Sequence, residues 1–262
     1  NRPVTTAPTD VPVMVTPSTN ASPSLRPSTS SPTLHSTDLL QYLISKSFDS
    51  GQAITTAGTP QNEAYQWLLT NAFLNIYSAE QKLSRYSLAT FFFATNGPVT
   101  WDSFIRDDGW LTDAPECEWG STANNQCTNG VYTSLTLDFV GVSGTIPGEI
   151  ALLTSLERFS VRGVRGIVET TSVLSGTIPD VFGSLTNMQT IRLNNNDLSG
   201  SIPASFGLMT NCRVLILTGN SLTGKIPREL ANIQGRTLRT LNLDNNQLSG
   251  EIPSELFNLT QL

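Results

Sequence analysis

Apolar residues recur at helical spacing over residues 38–134 and at a fixed long period from 135 onward. Asp38 is placed to cap a short helix carrying Leu39, Leu40, Leu43 and Ile44. Thr59-Pro60 reads as a second start: an N-cap hydroxyl, then a proline where no donor is needed. Tyr65, Leu68, Leu69, Ala72, Phe73 and Ile76 continue that rhythm and predict one apolar stripe. A third helix is expected from about Ala79 to Thr95, with Leu83, Tyr86, Phe91, Phe92 and Phe93. It should stop at Asn96-Gly97-Pro98, with the glycine left-handed and the proline unable to continue. Three aromatics in a row are costly to expose. The segment is therefore expected to cover the open first end of a stacked core.

From residue 135 a Ser/Thr-Gly-x-Ile-Pro motif occurs five times, with glycines at 144, 176, 200, 224 and 250. The spacings are 32, 24, 24 and 26 residues. The long first gap places an insertion between Arg162 and Val173, and the last a smaller one near Gln234 to Arg236. Leucines and an asparagine keep register with the motif, as in Met188, Ile191, Leu193, Asn196 and Leu198. Each unit predicts one short strand, alternate residues inward, and an Asn bonding backbone groups of the coil. Cys212 stands at a core leucine position and is expected to be a buried, unreactive thiol.

Residues 117–262 resemble the plant-type leucine-rich repeat, L-x-x-L-x-L-x-x-N-x-L-S-G-x-I-P. Cys117-Glu118-Trp119 through Cys127, leading into Gly130-Val131, resembles that family's N-terminal cap. The longer layout looks more like microalgal extracellular repeat proteins than land-plant receptors. The resemblance implies an α/β architecture: a right-handed curved solenoid with parallel strands on its concave face, where extracellular ligands bind. Two positions depart from the pattern: Val140 stands where Asn is expected, and the second repeat is interrupted. The domains then read as a stalk at 1–37, a helical cap with a disulfide loop at 38–134, and about five repeats at 135–262.

Composition sharpens this. Of the first 37 residues, 22 are Pro, Ser or Thr, so the stalk is expected to be disordered and extended, and O-glycosylated. Asn20 and Asn258 open N-glycosylation sequons. Fifteen basic against 21 acidic residues argue against general nucleic-acid binding. The single histidine, His35, lies in the stalk, so no zinc site or Ser-His-Asp site can be assembled, and no metal or cofactor is expected. Cys117 and Cys127 are expected to pair, contributing roughly 2–3 kcal/mol. Two free thiols or a metal pair are the alternatives. The longest apolar run, around Leu88 to Ala94, falls short of the ~20 residues of a membrane span. The chain starts at Asn1 and ends within a repeat at Leu262, which reads as a piece of a longer protein. The open last repeat should make the isolated piece prone to associate.

Strand alternation predicts two outward columns: Thr136, Ser160, Arg192, Ile216, Asn242, and then Asp138, Arg162, Asn194, Thr218, Asp244. Asp138 and Asp244 would stand four strands apart, roughly 19 Å, too far for a pair of hydrolytic carboxylates. Glu116, Glu118 and Asp107-Asp108 read as solvated surface, and the chain is read as no enzyme. Arg158, Arg162 and Arg192 form a local basic spot bordered by Val214 and Ile216, suited to an acidic or sulfated glycan or an acidic peptide. The opposing reading pairs these arginines with Asp138 and Glu157 and leaves them without a ligand. The expected role is an extracellular or cell-surface recognition module, a receptor-like ectodomain. It would bind a protein, peptide or glycan through Arg158, Arg162, Arg192, Asn194, Ile216, Thr218, Asn242 and Asp244. Any membrane link would lie outside these residues. The competing roles are an adhesive wall component and a soluble inhibitor of wall-degrading enzymes.

Overall fold

The computed structural model describes residues 36–120, 126–163, 173–233 and 238–262. Nearly all of the stalk with Asn20 and His35, and most of the two insertions, lie outside the described residues. Thr33–Leu262 form one compact unit, with no division near residue 134.

Six helices open it: α1 (Ser36–Lys46), α2 (Gln52–Thr55), α3 (Pro60–Thr70), α4 (Ala79–Ala94), α5 (Gly97–Thr100) and α6 (Ser103–Arg106). Thr59 caps α3, its hydroxyl accepting from the Asn62 amide at 3.1 Å. Ser78 and Gln81 form a reciprocal capping box on α4. Three expectations change. Asp38 sits inside the first turn of α1, not at its cap. The second helix ends at Thr70, and Leu74–Ile76 is a separate tight turn that leaves Phe73 and Ile76 exposed. After α4 it is Asn96, not Gly97, that is left-handed, with φ 54°. Gly97 instead opens α5 beside the Phe92 ring, where a Cβ would lie 2.4 Å from it.

The repeats supply strands β2 (Val131–Thr136), β4 (Arg158–Ser160), β6 (Thr190–Arg192), β8 (Val214–Ile216) and β10 (Thr240–Asn242). They pair in parallel in that order, and β1 (Gln126–Thr128) adds antiparallel to β2. Five short turns, from Gly148–Leu152 to Ser254–Asn258, recur once per coil, each following the motif's proline. Between strand and turn run short ladders: β3 (Gly144–Thr145), β5 (Leu174–Thr177) and β7 (Asp197–Ser199), then β9 (Thr223–Gly224) with β11 (Gln247–Leu248).

One apolar core runs from Leu88 in α4 to Leu259 in the last repeat. The helical segment does cover the first coil. Phe91 meets Phe159 edge-on at 5.8 Å, and the ring column continues through Phe182 (5.3 Å) to Phe206 (6.1 Å). Buried aromatics of this size stabilise by about 1.5–3 kcal/mol each. Backbone contacts fix the docking: Asp102 N–H donates to Val140 O at 3.0 Å, and Ser143 N–H to Thr95 O at 3.3 Å. Gly141 permits this approach, since a Cβ there would lie 2.2 Å from Thr100 O.

The asparagine ladder forms as expected. Asn196 Oδ1 accepts from Leu174 N–H (3.0 Å), and its Nδ2 donates to Val161 O (2.8 Å) and Leu193 O (3.0 Å). Asn220 and Asn246 repeat the arrangement one and two coils on. Cys212 is fully buried, and burial pushes its thiol up to about 12.

One carboxylate read as solvated surface is not, and a second, Glu149, is buried as well. Glu116 is buried and ion-paired to Arg85 at 3.4 Å, whereas Glu118 is exposed. Burial raises the carboxyl of Glu149, which takes one bond from Gln61 Nε2 at 3.1 Å. A raised folded value means stability is fully present below the ordinary value of 4.5 and is lost as pH rises through the folded one. Glu149→Gln should therefore melt above the parent at neutral pH and converge with it at pH 4. A difference in Tm that stays constant from pH 4 to 8 would refute this.

Candidate ligand surface on the parallel sheet

The observed register places Thr136, Ser160, Arg192, Ile216 and Asn242 side by side, as the alternation implies. Backbone bonds carry the ladder past the strand ends. Phe139 N–H donates to Arg162 O, Gly163 to Asn194 O, Asn195 to Thr218 O and Gly219 to Asp244 O, at 2.9–3.1 Å. Asp138, Arg162, Asn194, Thr218 and Asp244 thus form the second column.

The three arginines do not act alike. Arg162 Nε lies 2.9 Å from Asp138 Oδ2, and its guanidinium covers the Phe139 ring at 4.5 Å. Asp138 also accepts from the Ser160 hydroxyl (2.7 Å) and the Arg162 amide (3.0 Å). Arg162 is therefore committed within the fold. Glu157 takes Gln189 Nε2 at 2.9 Å rather than an arginine. Arg158 and Arg192 have no ion pair among the described residues. They line one open hollow of about 370 Å³ with Gln126, Ser134, Thr136 and Ser160. A second hollow, of about 490 Å³, contains Arg162, Arg192, Asn194, Ile216, Thr218 and Asn242, so Arg192 borders both. Asp244 accepts from the Thr218 hydroxyl at 2.7 Å at the far edge.

Phe139 had no place in the sequence reading. It is 49% exposed with φ 63°, where the later repeats carry Asn195, Gly219 and Asn245 at φ 61°, 70° and 53°. Aligning the repeats on their asparagines would have exposed it as the one bulky residue at a left-handed position.

Cys117 and Cys127 are joined in a disulfide, their Cα atoms 5.5 Å apart. Asn258 is exposed at the end of the last turn, away from the sheet. Among the described residues no helix is long and apolar enough to cross a membrane, and no three metal-ligating side chains cluster.

A leucine-rich-repeat family profile matches residues 187–209, 211–233 and 237–259, in step with three of these coils. The chain is a leucine-rich-repeat solenoid. Among solved structures, this solenoid is similar to a plant ice-binding protein at 27% identity, with a TM-score of 0.55. That match covers 66% of this chain and 51% of the other, so it reaches beyond the repeats into the helical region. The BIR3–SERK2 complex from Arabidopsis thaliana is similar at 35% identity over 50% of this chain and 67% of that one, TM-score 0.45. A plant peptide hormone receptor, RGFR1, solved in complex with RGF2, is similar at 32% identity, TM-score 0.45. That match covers 50% of this chain and only 19% of the receptor chain.

Proposed function

We propose that this solenoid is an extracellular recognition module and that the outer face of its six-stranded sheet receives the ligand. One observation carries the reading: Arg158 and Arg192 have no ion pair among the described residues and line a polar hollow on the sheet face of a chain with net charge −6. On that face Asp138, Ser160 and Arg162 are tied to one another, and Thr218 to Asp244, which leaves the two guanidinium groups as available charged handles. The disulfide fits an oxidising compartment, which supports a secreted or cell-surface setting. Stacked coils present extended surfaces suited to protein, peptide or glycan partners. Asn258 is a site for surface glycosylation, away from the sheet.

The test uses the fluorescently labelled protein on intact cells of its source. Thr136→Trp with Asn194→Trp fills the sheet face, and Asn232→Trp places the same bulk on the opposite side. Binding should fall at least about tenfold for the first and hold for the second. Equal binding by both variants would remove the sheet face from the ligand site.

A second reading, an ice-facing surface, is favoured by the side ladders. Thr145, Thr177 and Ser201 are exposed hydroxyls at the same position of successive motifs there, with Thr145 opposite Ser175 and Thr177 opposite Ser199. Thr145→Tyr with Thr177→Tyr should abolish any inhibition of ice recrystallisation. An inactive parent protein ends that reading.

A further inference from the structure

The sheet face carries two features that the folded chain does not need. The first is the pair Arg158 and Arg192. Arg158 stands opposite Thr190 and Arg192 opposite Ser160, so the two are diagonal neighbours on β4 and β6. Strand spacing and rise per residue put their backbones roughly 8 Å apart. Neither has an anionic partner among the described residues, while Asp138, the acid in the same hollow, is already held by Arg162, Ser160 and a backbone amide. Two planar forks at that separation suit sulfate or carboxylate groups, which accept paired hydrogen bonds.

The second is Phe139. A bulky side chain at positive φ is strained, and this one recovers little by burial, being 49% exposed. The equivalent positions hold Asn or Gly, which adopt that conformation at low cost. Phe139 directly follows Asp138, which lines the arginine hollow, and its ring is backed by the Arg162 guanidinium at 4.5 Å. An exposed aromatic face backed by a fixed cation is a platform for the C–H face of a sugar ring.

We infer that the ligand is a linear glycan bearing sulfate or carboxylate groups, its charges on Arg158 and Arg192 and a sugar ring against Phe139. The inference rests on the sheet face being the ligand surface and assigns the chemistry of what binds there. An acidic peptide fits the hollow less well. Its lining is hydroxyl, amide, guanidinium and the Asp138 carboxylate already held by Arg162, with no apolar side chain to receive those of a peptide.

The experiment is calorimetric titration of the whole chain at low and at physiological salt. The probes are a sulfated galactan hexasaccharide, an oligogalacturonate of equal length, neutral cellohexaose and a hexaglutamate peptide. At least one anionic glycan should bind, at least about tenfold tighter than cellohexaose or hexaglutamate, and weaken with salt. Arg158→Ala with Arg192→Ala should lose about tenfold or more, and Arg228→Ala, outside the sheet, nothing. Phe139→Asn separates a ligand role from a structural one: affinity for the glycan should fall severalfold while Tm holds or rises. If hexaglutamate matches the glycans and ignores Phe139→Asn, the glycan assignment falls and the sheet-face reading stands. If none of the probes binds, the glycan assignment also falls, and the tryptophan variants decide the sheet face independently. Glycan binding unaffected by the arginine double variant overturns both.

Discussion

Arg85→Ala should destabilise the protein by about 3–5 kcal/mol, the cost of leaving a buried charge without its partner. Arg85 is fully buried at the meeting of α4 and the disulfide loop. Its guanidinium donates to Thr112 O at 2.6 Å and Ala114 O at 2.9 Å and pairs with Glu116 at 3.4 Å. Three aromatic rings surround it, Trp119 at 4.5 Å, Tyr77 at 4.8 Å and Trp67 at 5.4 Å. Such a cage suits arginine because its delocalised charge is weakly hydrated and stacks on aromatic faces. Truncation strands the Glu116 carboxylate, orphans two carbonyls and opens a cavity among the rings. Adding Glu116→Gln to Arg85→Ala should recover part of the loss, since the stranded charge is then gone. Urea denaturation of the parent and both variants measures this. A single variant within about 1 kcal/mol of the parent would show that water reaches the cage and pays its solvation.

The second large effect lies in the asparagine ladder. Asn196→Ala should cost about 2–4 kcal/mol, because it orphans the Leu174 amide inside the solenoid and leaves a void. Asn194→Ala, two residues away on the sheet face, should change stability by less than about 0.5 kcal/mol. Asn194, Asn195 and Asn196 are chemically identical, yet only the last is fully buried. Equal costs for the two variants would mean that the ladder bonds add nothing beyond what water supplies in the unfolded chain.

The repeat period made much of the sheet face legible before any coordinates. Parallel strands of three residues, six in β2, leave little freedom, so alternation about Leu193 and Leu217 assigns Arg192, Asn194, Ile216 and Thr218 to the outside. The same columns set Arg162 beside Asp138, which suggests their ion pair, but do not say that Arg158 and Arg192 stay outside any such pair. That distinction depends on side-chain reach: Asp138 lies across the ladder from Arg162, close enough to bind it. The alternation also passed over Phe139: the angle of 63° is set by the coil, and only comparison with Asn195, Gly219 and Asn245 at the same place in later repeats marks a bulky residue there as unusual.

The helical segment divides in the same way. Capping chemistry at Thr59-Pro60 marked one helix start, since caps are local bonds between residues three apart, whereas the Ser78–Gln81 box on α4 went unread. The early end of α3 at Thr70 was not visible, because Ala72, Phe73 and Ile76 kept an apolar rhythm that docking did not use. Glu116 read as surface because a single carboxylate near a disulfide carries no local sign of burial. Its environment is assembled from α4 and the Tyr77 turn, both distant in sequence, together with the neighbouring Trp119.

The amino-acid sequence by itself determined the repeat, its register, the asparagine ladder and the capped helices, all of which rest on periodicity or on contacts within a few residues. The tertiary structure alone decided which charges are neutralised, which carboxylates are buried and which arginines face outward unpaired. Those outcomes depend on distances of a few ångströms between segments the sequence keeps far apart, and electrostatic and desolvation energies change steeply over that range.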